Sequence, residues 1–468
     1  MEIVLTVSDQ AWGGKQRYMQ QVAAGLAQVG HAVSVVVEDG SAMLTACEAA
    51  GLRTVCVSAF GTDTPAVDAL REVFQMSDPS IVCVTGRADA AAVVAARTAI
   101  SESAALCLFR HSAFPLGTTE EVRDLFNNVD LVFATAREQR ERQFEPLVAA
   151  GALRSDQVEV LTSGISEEFL RALHAADRVA MRTQLGIDQD QFAFLVLARL
   201  SWEKGVDRVI DAFARLKQAP DPARAVLLIA GEGPLEADLR SQAEHLDVAD
   251  DVHFLGRHAE VAPLIVASDA VVLASTVPET GPLALKEAMA GGRPVIASAQ
   301  GGIPEFVTDE QHGLLVVDDE DLLQAMRRSA EDPRQSDAMG AAGREALLGG
   351  HRMARRLEYL VQRLDLLALD RLDVDTVLAE LAWDDIRLRD EADGGFIFVP
   401  RTSQIMELDA KTYSIVRGAF DADDPQSIVR STTPTPQELA RSLYQMGALV
   451  RQSSIPQRTT AARMEASA

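Results

Sequence analysis

Short apolar runs alternate with longer amphipathic stretches through roughly the first 350 residues. Ile3–Val7, Ala32–Val37, Thr54–Val57, Ile81–Thr85, Ala105–Phe109 and Leu131–Ala134 are apolar along almost their whole length. Such runs are strands buried on both faces. Between them, stretches such as Arg17–Val29 and Ala88–Ile100 carry helical spacing. This alternation predicts a parallel sheet covered by helices on both sides. The pattern pauses over Gly164–Asp188, which is polar and helical, and restarts with Phe194–Ala198, Ala225–Ala230, Val252–Leu255, Ala270–Ala274, Pro294–Ala297 and Leu314–Val317. The expected fold class is α/β: two Rossmann-like, doubly wound domains over residues 1–178 and 179–350, facing a cleft. Ligands in such sheets lie beyond the carboxyl ends of the strands.

The texture changes after Leu369. Leu357–Leu369 is a Leu-rich amphipathic helix within a linking segment, 351–371. Beyond it the periodic stretches are short: strands at Phe396–Val399 and Ile405–Leu408, then helices at Ala410–Phe420, Pro425–Ser431 and Pro436–Met446. A small α+β domain over 372–455 is predicted, followed by a polar, loose tail at 456–468.

Composition narrows the partners. Of 468 residues, 47% are apolar and 24% charged, the mix of a folded soluble protein. The formal net charge of −25 argues against nucleic acid and against docking on anionic lipid, since both need an excess of Lys and Arg. The cysteines, Cys47, Cys56, Cys83 and Cys107, fit no zinc spacing and suit a reducing cytosol. The first strand opens at Ile3, so no secretory leader is expected, and no apolar run reaches a membrane span's length. A cytoplasmic location without a membrane anchor is the expectation.

The chemistry concentrates in Glu279-Thr280-Gly281-Pro282-Leu283-Ala284-Leu285-Lys286-Glu287, between the strand Ala270–Ala274 and a helix ending at Gly291-Gly292. Gly281 and Pro282 suit a helix start, with Pro preset at the first helical position. The free N–H groups and positive dipole end of such a helix attract an anion. Glu287 lies about 9 Å along the axis from Gly281, at about 1.5 Å per residue. That matches the reach from a diphosphate to a ribose. Carboxylates accept hydrogen bonds from hydroxyls, so one acid can hold a sugar and the other a ribose. On spacing alone, an acidic loop followed by a solvated helical Glu is an equal reading. Arg199 and Lys204, five apart in Arg199-Leu200-Ser201-Trp202-Glu203-Lys204-Gly205, follow a strand and can meet one diphosphate. Gly231-Glu232-Gly233-Pro234 ends another strand in a turn that lets a ligand approach the backbone.

In order, these pieces resemble the C-terminal half of retaining GT-B glycosyltransferases, in particular family 4. The matching elements are Arg199-Leu200 with Glu203-Lys204-Gly205, Gly231–Pro234, Phe254-Leu255-Gly256, the Glu279/Glu287 pair, Gly301-Gly302-Ile303-Pro304-Glu305 and Gly313-Leu314-Leu315-Val316. They extend over about 150 residues. The resemblance implies that Arg199 and Lys204 bind the donor diphosphate, that Glu279 touches the transferred sugar and that Glu287 holds the ribose. Gly231, Gly256, Gly281, Pro282 and Leu283 then line the donor site. Gly13-Gly14 looks like the family's glycine loop, although a plain Rossmann turn reads the same way. His111, in Arg110-His111-Ser112 after a strand, looks like the family's histidine beside the donor sugar. The family pattern departs at Thr280-Gly281-Pro282 and at Ser163-Gly164-Ile165-Ser166, which puts donor specificity in doubt. A UDP- or GDP-sugar co-substrate is implied, with no cofactor. No Asp-x-Asp motif stands in a suitable place, so metal independence is expected.

The C-terminal segment has its own resemblance. Gly395-Phe396-Ile397-Phe398-Val399-Pro400, Leu408-Asp409-Ala410-Lys411-Thr412-Tyr413-Ser414-Ile415-Val416 and the closing Leu443…Met446-Gly447-Ala448-Leu449-Val450 are similar to PqqD-like winged-helix domains, which recognise precursor peptides. The resemblance implies that a peptide adds a strand beside Gln404, Ile405, Met406, Glu407 and Leu408, with Leu439 and Leu443 along the groove. The acceptor is then a ribosomally made peptide glycosylated on Ser, Thr or Cys. A lipid, glycan or small-metabolite acceptor is the alternative, with the small domain serving in packing or dimerisation. A non-catalytic scaffold that delivers peptide is the third. Lys204→Ala or Glu279→Ala is expected to remove nearly all transfer while circular dichroism and melting stay close to wild type. Near-normal turnover in both variants would refute the assignment.

Overall fold

In this computed structural model the described residues are 1–10, 12–62, 64–97, 104–220, 223–371, 378–379, 381–391, 394–428 and 436–451. The expected tail at 456–468 falls outside them, as does the end of the helix expected at Pro425–Ser431, whose described part is a 3₁₀ turn, Pro425–Ile428. The chain divides into two compact units. The first comprises Met1–Gln10, Met19–Cys107 and Leu357–Ala468; the second comprises Ala11–Tyr18 and Leu108–Arg356.

The first unit carries strands β1 (Glu2–Val7), β2 (Ala32–Glu38), β3 (Arg53–Val57) and β4 (Ile81–Val84), and the opening residues of β5 (Ala105–Arg110). The order β3-β2-β1-β4-β5 is parallel where registers are resolved, with Val4 opposite Ser34 and Val82. Ile3, Val4, Leu5 and Val7 are buried, as continuous apolar strands in a covered sheet require.

The second unit continues from the end of β5 to β6 (Leu131–Ala134) and β7 (Val158–Val160), then builds a complete parallel sheet. Its strands are β8 (Phe192–Leu197), β9 (Ala225–Ala230), β10 (Val252–Gly256), β11 (Ala270–Leu273), β12 (Val295–Ser298) and β13 (Gly313–Val316). Their order is β10-β9-β8-β11-β12-β13. The winding reverses between β8 and β11, where Phe194 pairs with Ala270. Loops leaving the carboxyl ends of two such strands diverge and open a crevice. The loop after β8 holds Arg199–Lys204 and the loop after β11 holds Ser275–Pro282, so topology delivers both charged motifs to one place. The helix Val206–Lys217 anchors the first loop. Val206, Val209, Ile210 and Phe213 recur at helical spacing on its buried face. Asp207 in its first turn and Arg215 and Lys217 in its last match the helix dipole.

The C-terminal segment adds β14 (Leu381–Trp383), β15 (Arg387–Glu391), β16 (Gly394–Val399), β17 (Gln404–Asp409) and β18 (Leu449–Arg451). β15-β16-β17 form an antiparallel sheet, and β14 pairs antiparallel with β18. The sequence pattern missed both members of that second pair, since each has three residues, too short for a period to show. Trp383, Ile397, Val399, Val416 and Leu443 share one core. Trp383 Nε1 donates to Ala419 O at 3.2 Å. Tyr444 OH meets Asp365 Oδ2 at 2.5 Å, pinning the helix Pro436–Gln445 to the helix Met353–Arg371. Leu439 and Leu443, expected along a peptide groove, are instead core residues at 3% and 0% exposure. Their helix turns its apolar stripe into that core.

Candidate active site

The site assembles within the second unit around Glu279. Lys204 Nζ donates to Glu279 Oε1 at 2.7 Å, and Ser275 Oγ donates to the same oxygen at 2.6 Å. The backbone of Glu279 bridges to Gly301 and accepts Gly302 N–H at 2.6 Å. The Gly301-Gly302 turn therefore fixes the height of the acid above the sheet. Glu203 O accepts Thr276 N–H at 3.0 Å and so laces the loop after β8 to the loop after β11.

Arg199 and Lys204 have separate partners. Arg199 is held by Glu203, which is buried and also accepts Ser201 Oγ at 2.7 Å. Burial pulls the Glu203 carboxyl upward, but hydrogen bonds from Ser201 and Arg199 outweigh it, and its pKa lies below the ordinary range. The Arg199 side chain is 61% exposed, so Glu203 tethers one edge of a guanidinium whose other edge faces outward. Glu203 and Gly302 stand inside matched motifs but received no role from the sequence, and Ser275 was not singled out; each orients another group, which leaves no spacing signature of its own.

The helix Leu283–Ala290 follows. Pro282 is its N-cap, one position before the helix, and no side chain caps it. Leu283 is the first helical residue and Gly281 precedes the cap. Glu287 is buried, which removes the solvated-helix reading. Burial raises its pKa to about 7, Arg17 opposes the rise, and Glu260 adds to it. Lys286, also unremarked in the sequence, is fully buried. Its ammonium donates to Ser163 O and Ser163 Oγ at 3.1 Å each and to Thr162 Oγ1, and it lies 5.2 Å from the Phe306 ring centre. Burial and the neighbouring Arg356 bring its pKa down to about 7, against Glu305. A lysine inside an otherwise apolar, buried helical run is the signal that could have flagged it.

His111 stands just beyond β5, and its carbonyl accepts Thr280 Oγ1 at 3.2 Å. The ring packs 5.2 Å from that of Tyr18. Its Nε2 is buried without a hydrogen-bond partner. Burial, aided by Lys15, Arg110 and Lys286, lowers its pKa to about 3. The imidazole is therefore neutral at physiological pH. It can donate or accept one hydrogen bond with a ligand but cannot serve as a proton reservoir. Gly13 and Gly14 open the helix Gly14–Gln28, where Gly13 O accepts Arg17 N–H at 3.0 Å.

The glycine after β9 and the glycine that ends β10 differ. Gly231 has φ of +156°, and a Cβ there would sit 1.8 Å from Ala198 O. Its lack of a side chain admits the neighbouring loop after β8 rather than a ligand. Gly256 has φ of +68° with open space around the missing Cβ. Among the described residues no group of three or more His, Cys, Asp or Glu is arranged to hold a metal ion, and no helix is long and apolar enough to cross a membrane.

Residues 177–346 match the family model for glycosyl transferases group 1. Alpha-monoglucosyldiacylglycerol synthase of Streptococcus pneumoniae is 36% identical over 148 residues, 31% of this chain and 33% of that protein. The GDP-mannose-dependent monoacylated alpha-(1-6)-phosphatidylinositol monomannoside mannosyltransferase of Corynebacterium glutamicum is 34% identical over 218 residues, 44% of this chain and 56% of that one. The matched stretch thus spans between a third and just over half of these relatives' length. Among solved structures, Anabaena HepE in complex with UDP and glucose superposes with a TM-score of 0.66 at 20% identity, covering 78% of this chain and 99% of that one. The chain has the GT-B fold with two parallel-sheet Rossmann-like domains.

Two outcomes follow from this geometry. Gly231→Ala is expected to cost about 2–4 kcal/mol in urea unfolding, from backbone overlap plus strain, whereas Gly256→Ala costs about 1–2 kcal/mol from strain alone. Equal losses would contradict the close approach at Ala198. His111 takes up a proton in the unfolded chain below its ordinary 6.5 but in the folded protein only near 3, so its contribution to stability is lost as pH falls. At pH 5 the loss is about 2 kcal/mol relative to pH 8. The stability gap between wild type and His111→Gln should narrow by that amount over the same range. A gap independent of pH would show that the imidazole is not held neutral.

Proposed function

We propose that the protein is a nucleotide-sugar-dependent, retaining glycosyltransferase that uses a UDP- or GDP-sugar without a metal ion. The observation that carries this reading is the convergence of Lys204 and Ser275 on Glu279, beside an uncapped helix N-terminus and a tethered, outward-facing Arg199, inside the group 1 domain. Breaking the bond between the anomeric carbon and the phosphate oxygen leaves negative charge on the nucleotide and positive character on the sugar. Lys204, Arg199 and the helix dipole stabilise the first. Glu279 accepts hydrogen bonds from the sugar hydroxyls. The acceptor oxygen or sulfur bonds to the anomeric carbon from the face the phosphate leaves, and its proton passes to the departing phosphate oxygen. His111, neutral and with an unpaired Nε2, positions a sugar hydroxyl.

The acceptor we favour is a precursor peptide held by a PqqD-like C-terminal domain. β17 lies at one edge of its sheet in the order β15-β16-β17, and Ile405 on it is 68% exposed. Such an edge accepts an added strand. Gln404 and Glu407 on the same strand are exposed and Met406 and Leu408 partly so, which supplies side-chain contacts. A lipid acceptor is the second reading, favoured by two relatives whose names give lipid acceptors. Those matches cover under half of this chain, so the acceptor does not carry over with them.

Calorimetry with UDP, GDP and ADP should show one of them binding, and the matching sugar nucleotide should be slowly hydrolysed. Silence with all three would overturn the enzymatic reading. A fluorescein-labelled peptide encoded beside the gene should bind below tens of micromolar, and Ile405→Asp should weaken it at least tenfold. If the nucleotide binds and the peptide does not, the lipid reading replaces the peptide one.

A further inference from the structure

Glu287 does not stand alone. Arg17, from the first turn of the helix Gly14–Gln28, places its Nη1 2.7 Å from Glu287 Oε1, with side-chain exposures of 22% and 8%. The guanidinium lies over the Phe169 ring, 5.3 Å from its centre. Phe169 is buried, and its helix, Glu167–Ala175, is capped by Ser166. The cation is thus fixed from two directions, by a carboxylate and by an aromatic face, and a ring face of this kind favours a cation. Arg17 engages a single oxygen of Glu287. The other, Oε2, accepts no hydrogen bond among the described residues.

This arrangement has an electrostatic purpose. A carboxyl as buried as Glu287 is pushed toward its neutral form, and Glu260 pushes it the same way. Arg17 is the one charged neighbour identified that opposes them. A neutral carboxylic acid can accept one hydroxyl proton poorly, whereas a carboxylate accepts two well. We propose that Arg17 is a positioning residue that keeps Glu287 ionised and turns its free oxygen toward the ribose of the nucleotide donor. The proposal rests on the nucleotide-sugar reading above. Arg17 itself touches no reacting atom. Its effect reaches the substrate through Glu287.

The sign of the pH dependence follows. Ribose recognition needs the ionised acid, so it is present above the Glu287 pKa and lost as pH falls through it. Wild type has that midpoint near 7. Removing the Arg17 charge moves the midpoint upward.

The test is calorimetric binding of UDP, GDP and ADP between pH 6 and 9 to wild type, R17Q, R17K, E287Q and R17Q/E287Q, with pyrophosphate as the ribose-free comparison. Thermal melts identify any variant that fails to fold, in which case R17K alone carries the comparison. R17Q is expected to weaken the best nucleotide at least tenfold at pH 7 and to shift its acid limb up by a unit or more. R17K should recover most of the affinity. Pyrophosphate binding should be unchanged, and R17Q should have no further effect in the E287Q background. Superimposable pH profiles for wild type and R17Q would overturn the inference while leaving the enzyme reading intact. So would tighter binding by R17Q, which would mean that Arg17 competes with ribose. If wild type binds none of the three nucleotides, the enzyme reading falls and this inference falls with it.

Discussion

Glu279 shares one of its oxygens between Lys204 and Ser275. That contact joins the loop after β8 to the loop after β11, the two strands at which the winding of the second sheet reverses. The acid is fixed by these two donors just ahead of a helix whose N-terminus carries no side-chain cap. On the proposed reading the Lys204 ammonium turns to the donor diphosphate while Ser275 continues to donate to Glu279. The same logic governs Arg199, which Glu203 restrains by one edge.

The surroundings of His111 show how the site separates duties. Lys15, Arg110 and Lys286 all press the imidazole toward its neutral form. A ring with an unpaired nitrogen and no charge serves geometry rather than proton transfer. On the proposed reading, acid–base work falls to the substrate's own phosphate, which suits a chemistry in which the leaving group departs as an anion.

Much of this was legible in the sequence. The apolar runs located the strands of both parallel sheets apart from β7, because fully buried strands announce themselves by continuous Val, Ile and Leu. The charged motifs were legible because each sits in a loop of fixed length after such a strand. What escaped was of two kinds. β7, β14 and β18 are three-residue strands with no measurable period. Glu203, Ser275 and Arg17 act by holding another side chain, and their partners are 4, 4 and 270 positions away; neither a motif nor a period assigns a residue that supporting role. Leu439 and Leu443 failed differently. An amphipathic helix has one apolar face, and the pattern does not say whether a core or a ligand covers it; here the core does.

The clasp between Tyr444 and Asp365 bears on how the C-terminal module could be handled. Leu366 and Ala368, on the helix before it, belong to the same apolar nucleus as Trp383 and Leu443. Cutting the polypeptide after that helix would strip a greasy stripe of its cover and leave a carboxylate that is 0% exposed facing water and neighbours it was never shaped for. The module is grafted rather than tethered, and a swap with another small domain would have to carry the helix along with it.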